Sequence, residues 1–289
     1  MLQDILVAGL VNGSVYALLA VGFSLIFGVA RIVNIAHTAF YMLAAYGIYA
    51  LLKYGGLHFL PAIVLSVAGV TALSLVFYKL VIEPVRQHES AVLISTIALA
   101  LIIQESLLVT FGGHFLGNPT LIEGMFVLAG VSISFQQLLT LGIVLLVLTA
   151  TWWLLARTRL GLAIRATAND QEVANLMGMN VRRVAMIAVA ISVMQAAIAG
   201  AVVAPLFIVD PLMWLTPLVT ILSVVVLGGL GSIKGSVLGA FIIAYVEALT
   251  VFLVPAGSFL KGAVALVIMI IVLLIRPEGL FGVVFEEER

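Results

Sequence analysis

The chain has 289 residues, 64% of them hydrophobic and 9% charged, with a mean hydropathy of +1.32. A soluble domain is roughly 45–50% apolar, so this composition belongs in a bilayer. With 13 basic against 13 acidic residues and no cysteine, the chain offers no basic footprint for nucleic acid and neither disulfides nor thiolate metal sites.

A spanning helix needs about 20 predominantly apolar residues. Runs of this kind predict an all-α, polytopic membrane protein of about nine spans, with eight to ten compatible with the pattern. No linker or low-complexity tract interrupts residues 1–289, so a single transmembrane domain is expected. The first run, 5–29, lacks the basic flank and cleavage site of a signal peptide and reads as a retained span. It carries Gly9 and Gly13 at a four-residue spacing, with the polar Asn12 between them. Asn34 precedes the second run, 36–52, near whose start stands an isolated His37. Runs 61–81 and 91–111 follow, the latter with Glu105 toward one end. In 124–134 an alternating pattern around an Ala-Gly turn predicts a hairpin, and 138–156 is the fifth span.

The segment 157–183 then holds five arginines, an aspartate and a glutamate in an otherwise charge-poor chain. Asn169 stands three residues before Glu172, the spacing of an N-cap and its N3 carboxylate, which predicts a helix start at Asn169. Asp170 and Glu172 sit in the first turn, where carboxylates suit the helix dipole, and Gly178 can end the helix in a left-handed cap. The result is about two turns, with Val173, Leu176 and Met177 on one face and Ala174 among them. So short a helix is marginal alone, which points to docking in a partner's groove. The plainer alternative is a positive-inside loop resting on anionic headgroups.

Four further runs complete the chain: 184–207, 218–230, 237–253 and 262–275. The seventh and ninth are short enough to be half-helices. Trp214 falls in a loop at a depth where indole is favoured. Gly231, Gly235 and Gly239 repeat the spacing of Gly9 and Gly13, and a row of this kind on one helix face permits close helix packing. Asn12, Asn34 and His37 join these glycines as candidates for packing or path-lining. Glu247, inside the eighth run, is as well suited to bonding neighbouring helices as to touching a substrate. No metal or nucleophile constellation is visible, so neither an enzyme nor a cofactor is expected, and the lack of paired carboxylates argues against an ion-coupled carrier.

Basic residues collect in cytoplasmic loops. With the N-terminus outside, Arg31, Lys79, Arg86, Arg157, Arg159, Arg165, Arg182, Arg183, Lys234, Arg276 and Arg289 lie inside, and Lys53 and Lys261 outside. An even count with one re-entrant segment is the alternative.

Several stretches in order, "YALLAVGFSLIFGVARIVNIAH", "GVSISFQQLL", "RATANDQEVANLMGMNVRRV", "VVVLGGLGSIKGSVLGAF" and "RPEGLFG", give the chain a nearly end-to-end resemblance to the permease subunits of bacterial ABC importers for branched-chain amino acids, the LivH-type family. Thr38 stands where that family usually has glycine. The resemblance implies a multi-pass inner-membrane subunit that translocates branched-chain or other apolar amino acids, with 157–183 as its cytoplasmic coupling loop. It further implies a second related permease, ATP-binding cassette ATPase subunits and a periplasmic or lipid-anchored substrate-binding protein as partners, besides membrane lipid. No Walker motif of the form G-x-x-x-x-G-K-[ST] is present, so ATP hydrolysis falls to the separate ATPases. Related permeases share the scaffold, which leaves urea, short amides or sugars as alternative cargoes and an ion-coupled secondary transporter as a more distant one.

Overall fold

The computed structural model describes residues 1–128 and 131–282. Each of the nine apolar runs coincides with a helix: α1 Leu2–Ala30, α2 His37–Lys53, α3 Phe59–Phe77, α4 Glu89–Phe111, α5 Phe135–Arg157, α8 Val181–Val203, α9 Leu215–Gly228, α10 Ile233–Leu253 and α11 Lys261–Ile275. Two short helices, α6 Arg159–Asn169 and α7 Gln171–Leu176, lie between α5 and α8. Among the described residues, seven helices are long and apolar enough to cross a membrane. In two of these the span is extended by irregular turns, Phe59–Val85 by a π-helical and a 3-10 turn after α3, and Gly257–Ile275 by a 3-10 turn before α11. The ninth run is therefore not a half-helix. The seventh is short: α9 has 14 residues, about 21 Å at 1.5 Å per residue, against a hydrocarbon core of about 30 Å.

Burial sorts the helices into an inner and an outer set. The apolar window of α1 is 78% buried and that of α8 67%, whereas the windows of α3 and α5 are 22% buried and that of the last span 6%. An apolar helix with so little protein around it is stable only against lipid or another chain. The core runs along α1, which packs most extensively on α10 and then on α8. Small residues make this possible. Gly9 and Gly13 lie under the rings of Tyr245 and Phe241, and Gly235 and Gly239 of α10 lie against the Gly228 and Val224 carbonyls of α9. Gly231 departs from the expected row, because it precedes α10 and takes φ 82 in the turn beside Gly28. Three consecutive glycines of one face would need the helix to begin a turn earlier, and Ser232 starts it instead by accepting from Gly235 N–H.

The expected hairpin forms between β1 Met125–Leu128 and β2 Val131–Ser134, paired antiparallel. Its Ala129–Gly130 turn lies outside the described residues. Ser134 and Gln137 form a reciprocal capping box that starts α5.

Candidate coupling surface and interior site

Arg31, Glu83, Arg86, α6, α7 and Arg182 gather at one end of the bundle, as their mutual contacts and shared clefts show. At that end the α7 helix is held at both termini. Its N-cap is Asp170, whose Oδ1 accepts from the N–H groups of Glu172 and Val173 at 2.8 and 2.9 Å. Asn169, expected in this role, is instead the last residue of α6. The displacement has a local cause. Thr158 caps α6 by accepting from Gly161 N–H, and that helix runs on through Asn169 before Asp170 breaks it in an extended conformation. Gly178 takes φ 83, and the bonds Gly178 N–H to Asn175 O and Met179 N–H to Ala174 O close the C-terminus. The helix is six residues, shorter than the two turns expected, and α6 has no counterpart among the predicted elements.

On α7 the side chains divide sharply. Ala174 is 3% exposed and faces the body, while Val173, Leu176 and Met177 are 53%, 85% and 76% exposed. Glu172 is exposed as well. The α6–α7 unit is tied to the end of α1 twice, Gln171 Nε2 donating to Val29 O at 2.8 Å and Arg31 Nη2 to Ala168 O at 2.9 Å. Arg31 is also the left-handed cap of α1, at φ 56, a conformation costly to a residue with a side chain. Beyond α7, Arg182 at the start of α8 makes a two-pronged ion pair with Glu83 below α3. A cleft of about 540 Å³ lies beside this pair, bordered by Arg86, Gln171, Asn175 and Met179.

Within the bundle several polar residues find partners on other helices. His37 is fully buried and its Nε2–H donates to Leu19 O at 3.1 Å. Ser192 donates to Gly22 O, Gln195 to the Thr151 hydroxyl, and Ser24 pairs with Ser236. Glu247, 1% exposed, accepts from the Tyr16 hydroxyl at 2.8 Å and from Thr220 at 3.3 Å, joining α10 to α1 and α9. Trp214 is buried, its indole N–H bonded to Gln104 Oε1 at 2.8 Å, so this ring does not face headgroups as expected of a loop indole. Asn34 is buried with its Oδ1 unpartnered among the described residues, and so is the Thr38 hydroxyl. Asn12 borders a cavity of about 200 Å³ at the end of the bundle opposite α7, together with Tyr16, Tyr41 and Lys261. Of the residues singled out from sequence, the structure thus brings Asp170 through Gly178 together at one end. Gly9 and Gly13 lie along α1, and Gly231, Gly235 and Gly239 follow the start of α10, while Asn12, Asn34 and His37 are separate.

Long apolar helices around a polar-bonded interior, with a short tethered helix projecting from the basic end, define a multi-pass membrane protein. Residues 5–273 match the family model for the permease component of the branched-chain amino acid transport system, and the chain belongs to that family. It is 31% identical to the high-affinity branched-chain amino acid transport system permease protein BraD of Pseudomonas aeruginosa, over 96% of this chain and 94% of that one. The LivH permease protein of Escherichia coli is 29% identical over 95% and 93%, and the probable LivH of Methanocaldococcus jannaschii 29% over 96% and 92%. The structure of PsaBC from Streptococcus pneumoniae in complex with Fab shares the fold, with a TM-score of 0.55 at 16% identity over 95% of this chain and 92% of that chain. The family is one of permeases, so the chain is a transport subunit and not an enzyme.

Proposed function

We propose that this chain is the inner-membrane subunit of an ABC importer through which branched-chain amino acids pass, and that α7 is the contact for a separate ATPase. The observation that carries the coupling role is the exposure of Val173, Leu176 and Met177 on a helix capped at both ends. Three adjacent apolar side chains in water are unfavourable by about 25 cal/mol for each Å² left exposed, which a groove on a partner removes. The bonds from Gln171 and Arg31 give docking its mechanical consequence, since a displacement of α6–α7 pulls on the end of α1, the most buried helix of the bundle. The branched-chain cargo rests on the relatives named above. A second related permease against the outer helices and a substrate-binding protein at the hairpin end complete the reading, with the basic end in the cytoplasm.

The test is Leu176→Asp in the assembled transporter. Loss of an interface anchor costs on the order of 2 kcal/mol, so the variant should insert normally, co-purify poorly with its ATPases and lose ATP-driven leucine uptake in vesicles. Normal association and uptake would remove α7 from the coupling path.

A further inference from the structure

Away from α7, the cavity of about 200 Å³ lies between α1, α2, the turn after α8, α9 and the start of α11. Val11, Val15, Val203, Leu206 and Ile208 supply an apolar wall. Facing it are polar groups that the fold leaves uncommitted. The Asn12 amide, the Tyr41 hydroxyl and the Lys261 ammonium make no hydrogen bond or ion pair among the described residues, although Tyr41 is only 5% exposed. None of these three polar groups is sealed from solvent or spent on a protein bond, so a polar ligand can engage them without displacing a protein partner. Tyr16 also borders the cavity. Its hydroxyl donates to Glu247, which leaves the phenol oxygen free to accept. The site therefore presents one cation, a set of neutral acceptors backed by a buried carboxylate, and a hydrocarbon face.

We propose that this cavity is a binding subsite for the zwitterion of an apolar amino acid, with its carboxylate on Lys261, its ammonium on the oxygens of Asn12, Tyr16 and Tyr41, and its side chain on Val11, Val15 and Leu206. This rests on the transport reading above and names where in the chain the cargo is held. Size is compatible: at roughly 30 Å³ per water, the cavity of about 200 Å³ has room for about seven waters, the scale of a small aliphatic amino acid. Charge selects further. A free amine would meet Lys261 with like charge, and a neutral sugar would leave the ammonium unpaired.

The experiment titrates L-leucine against the full-length chain, purified in lipid nanodiscs, by calorimetry. Wild type should bind leucine and should bind isoamylamine, its decarboxylated analogue, at least about tenfold more weakly. Lys261→Met should weaken leucine binding by about tenfold or more, and Lys261→Arg should restore most of it. If Lys261→Met does not accumulate, Asn12→Leu carries the same test with the same expected loss. Absence of leucine binding by wild type, equal binding of the amine, or undiminished binding by the variants would overturn the subsite. Leucine binding that follows the expected pattern, together with no ATP-driven leucine uptake by the assembled transporter, would keep the subsite and overturn the transport reading.

Discussion

At the scale of single residues, the glycines separate into those that packing requires and those it does not. A Cβ on Gly235 would run into the Gly228 carbonyl and Cα of the neighbouring helix, backbone atoms that cannot swing aside. Gly235→Ala should therefore destabilise the protein by about 1–3 kcal/mol, as overpacking does, and the larger Gly235→Leu should prevent accumulation. Gly69, by contrast, lies exposed within α3 and a Cβ there meets nothing within 4 Å. Gly69→Ala should leave stability unchanged or raise it by up to about 1 kcal/mol. Thermal melts of the two alanine variants in detergent decide between these outcomes, and equal melting temperatures would show that the α9–α10 approach does not constrain the fold. The four-residue spacing made Gly235 and Gly239 legible in the sequence. It misplaced Gly231, because spacing alone does not tell a helical glycine from one whose positive φ makes the turn before it.

At the scale of elements, the α6–α7 unit depends on Asp170. Removing an aspartate N-cap costs about 1 kcal/mol, a large share of what holds a six-residue helix. Asp170→Ala, which frees the N–H groups of Glu172 and Val173, should weaken ATPase association and slow uptake, while Asp170→Ser should restore both. Uptake unchanged in the alanine variant would mean that the helix is held by Ala174 and Gln171 alone. The end of this helix was legible in the sequence through Gly178, whose left-handed φ is a conformation few other residues adopt. Its start was off by one residue, because Asn169 and Asp170 are both good caps and only the run of α6 through Asn169 chooses between them. The tie between this element and α1 was invisible in advance. Gln171 and Arg31 are 140 residues apart in the chain, and no local pattern signals that each side chain reaches a backbone carbonyl of the other's element.

At the scale of the whole molecule, the helices alternate in direction so that α1, α3, α5 and α11 end where α7 lies, and α2, α4, α8 and α10 end at the opposite side. The helix contacts agree: Ser24 of α1 meets Ser236 near the start of α10, while Gly9 near the start of α1 meets Tyr245, so the pair is antiparallel. Apolar length and the division of basic residues made this bundle legible from composition. They could not tell lipid-facing from buried spans, because every span is apolar all round and burial depends on which helices meet. The positive-inside rule predicts that the α7 end, which holds Arg31, Arg86, Arg157, Arg159, Arg165 and Arg182, faces the cytoplasm and that the end with Lys53 and Lys261 faces outward. A chain without cysteine allows this to be read by single labels. Glu172→Cys, on exposed α7, and Phe115→Cys, in the exposed loop after α4, should both react with a permeant maleimide. In intact cells an impermeant maleimide should reach only the second, and in inside-out vesicles only the first. Reaction of both from one face would require a different number of crossings between α4 and α7 and would overturn this orientation.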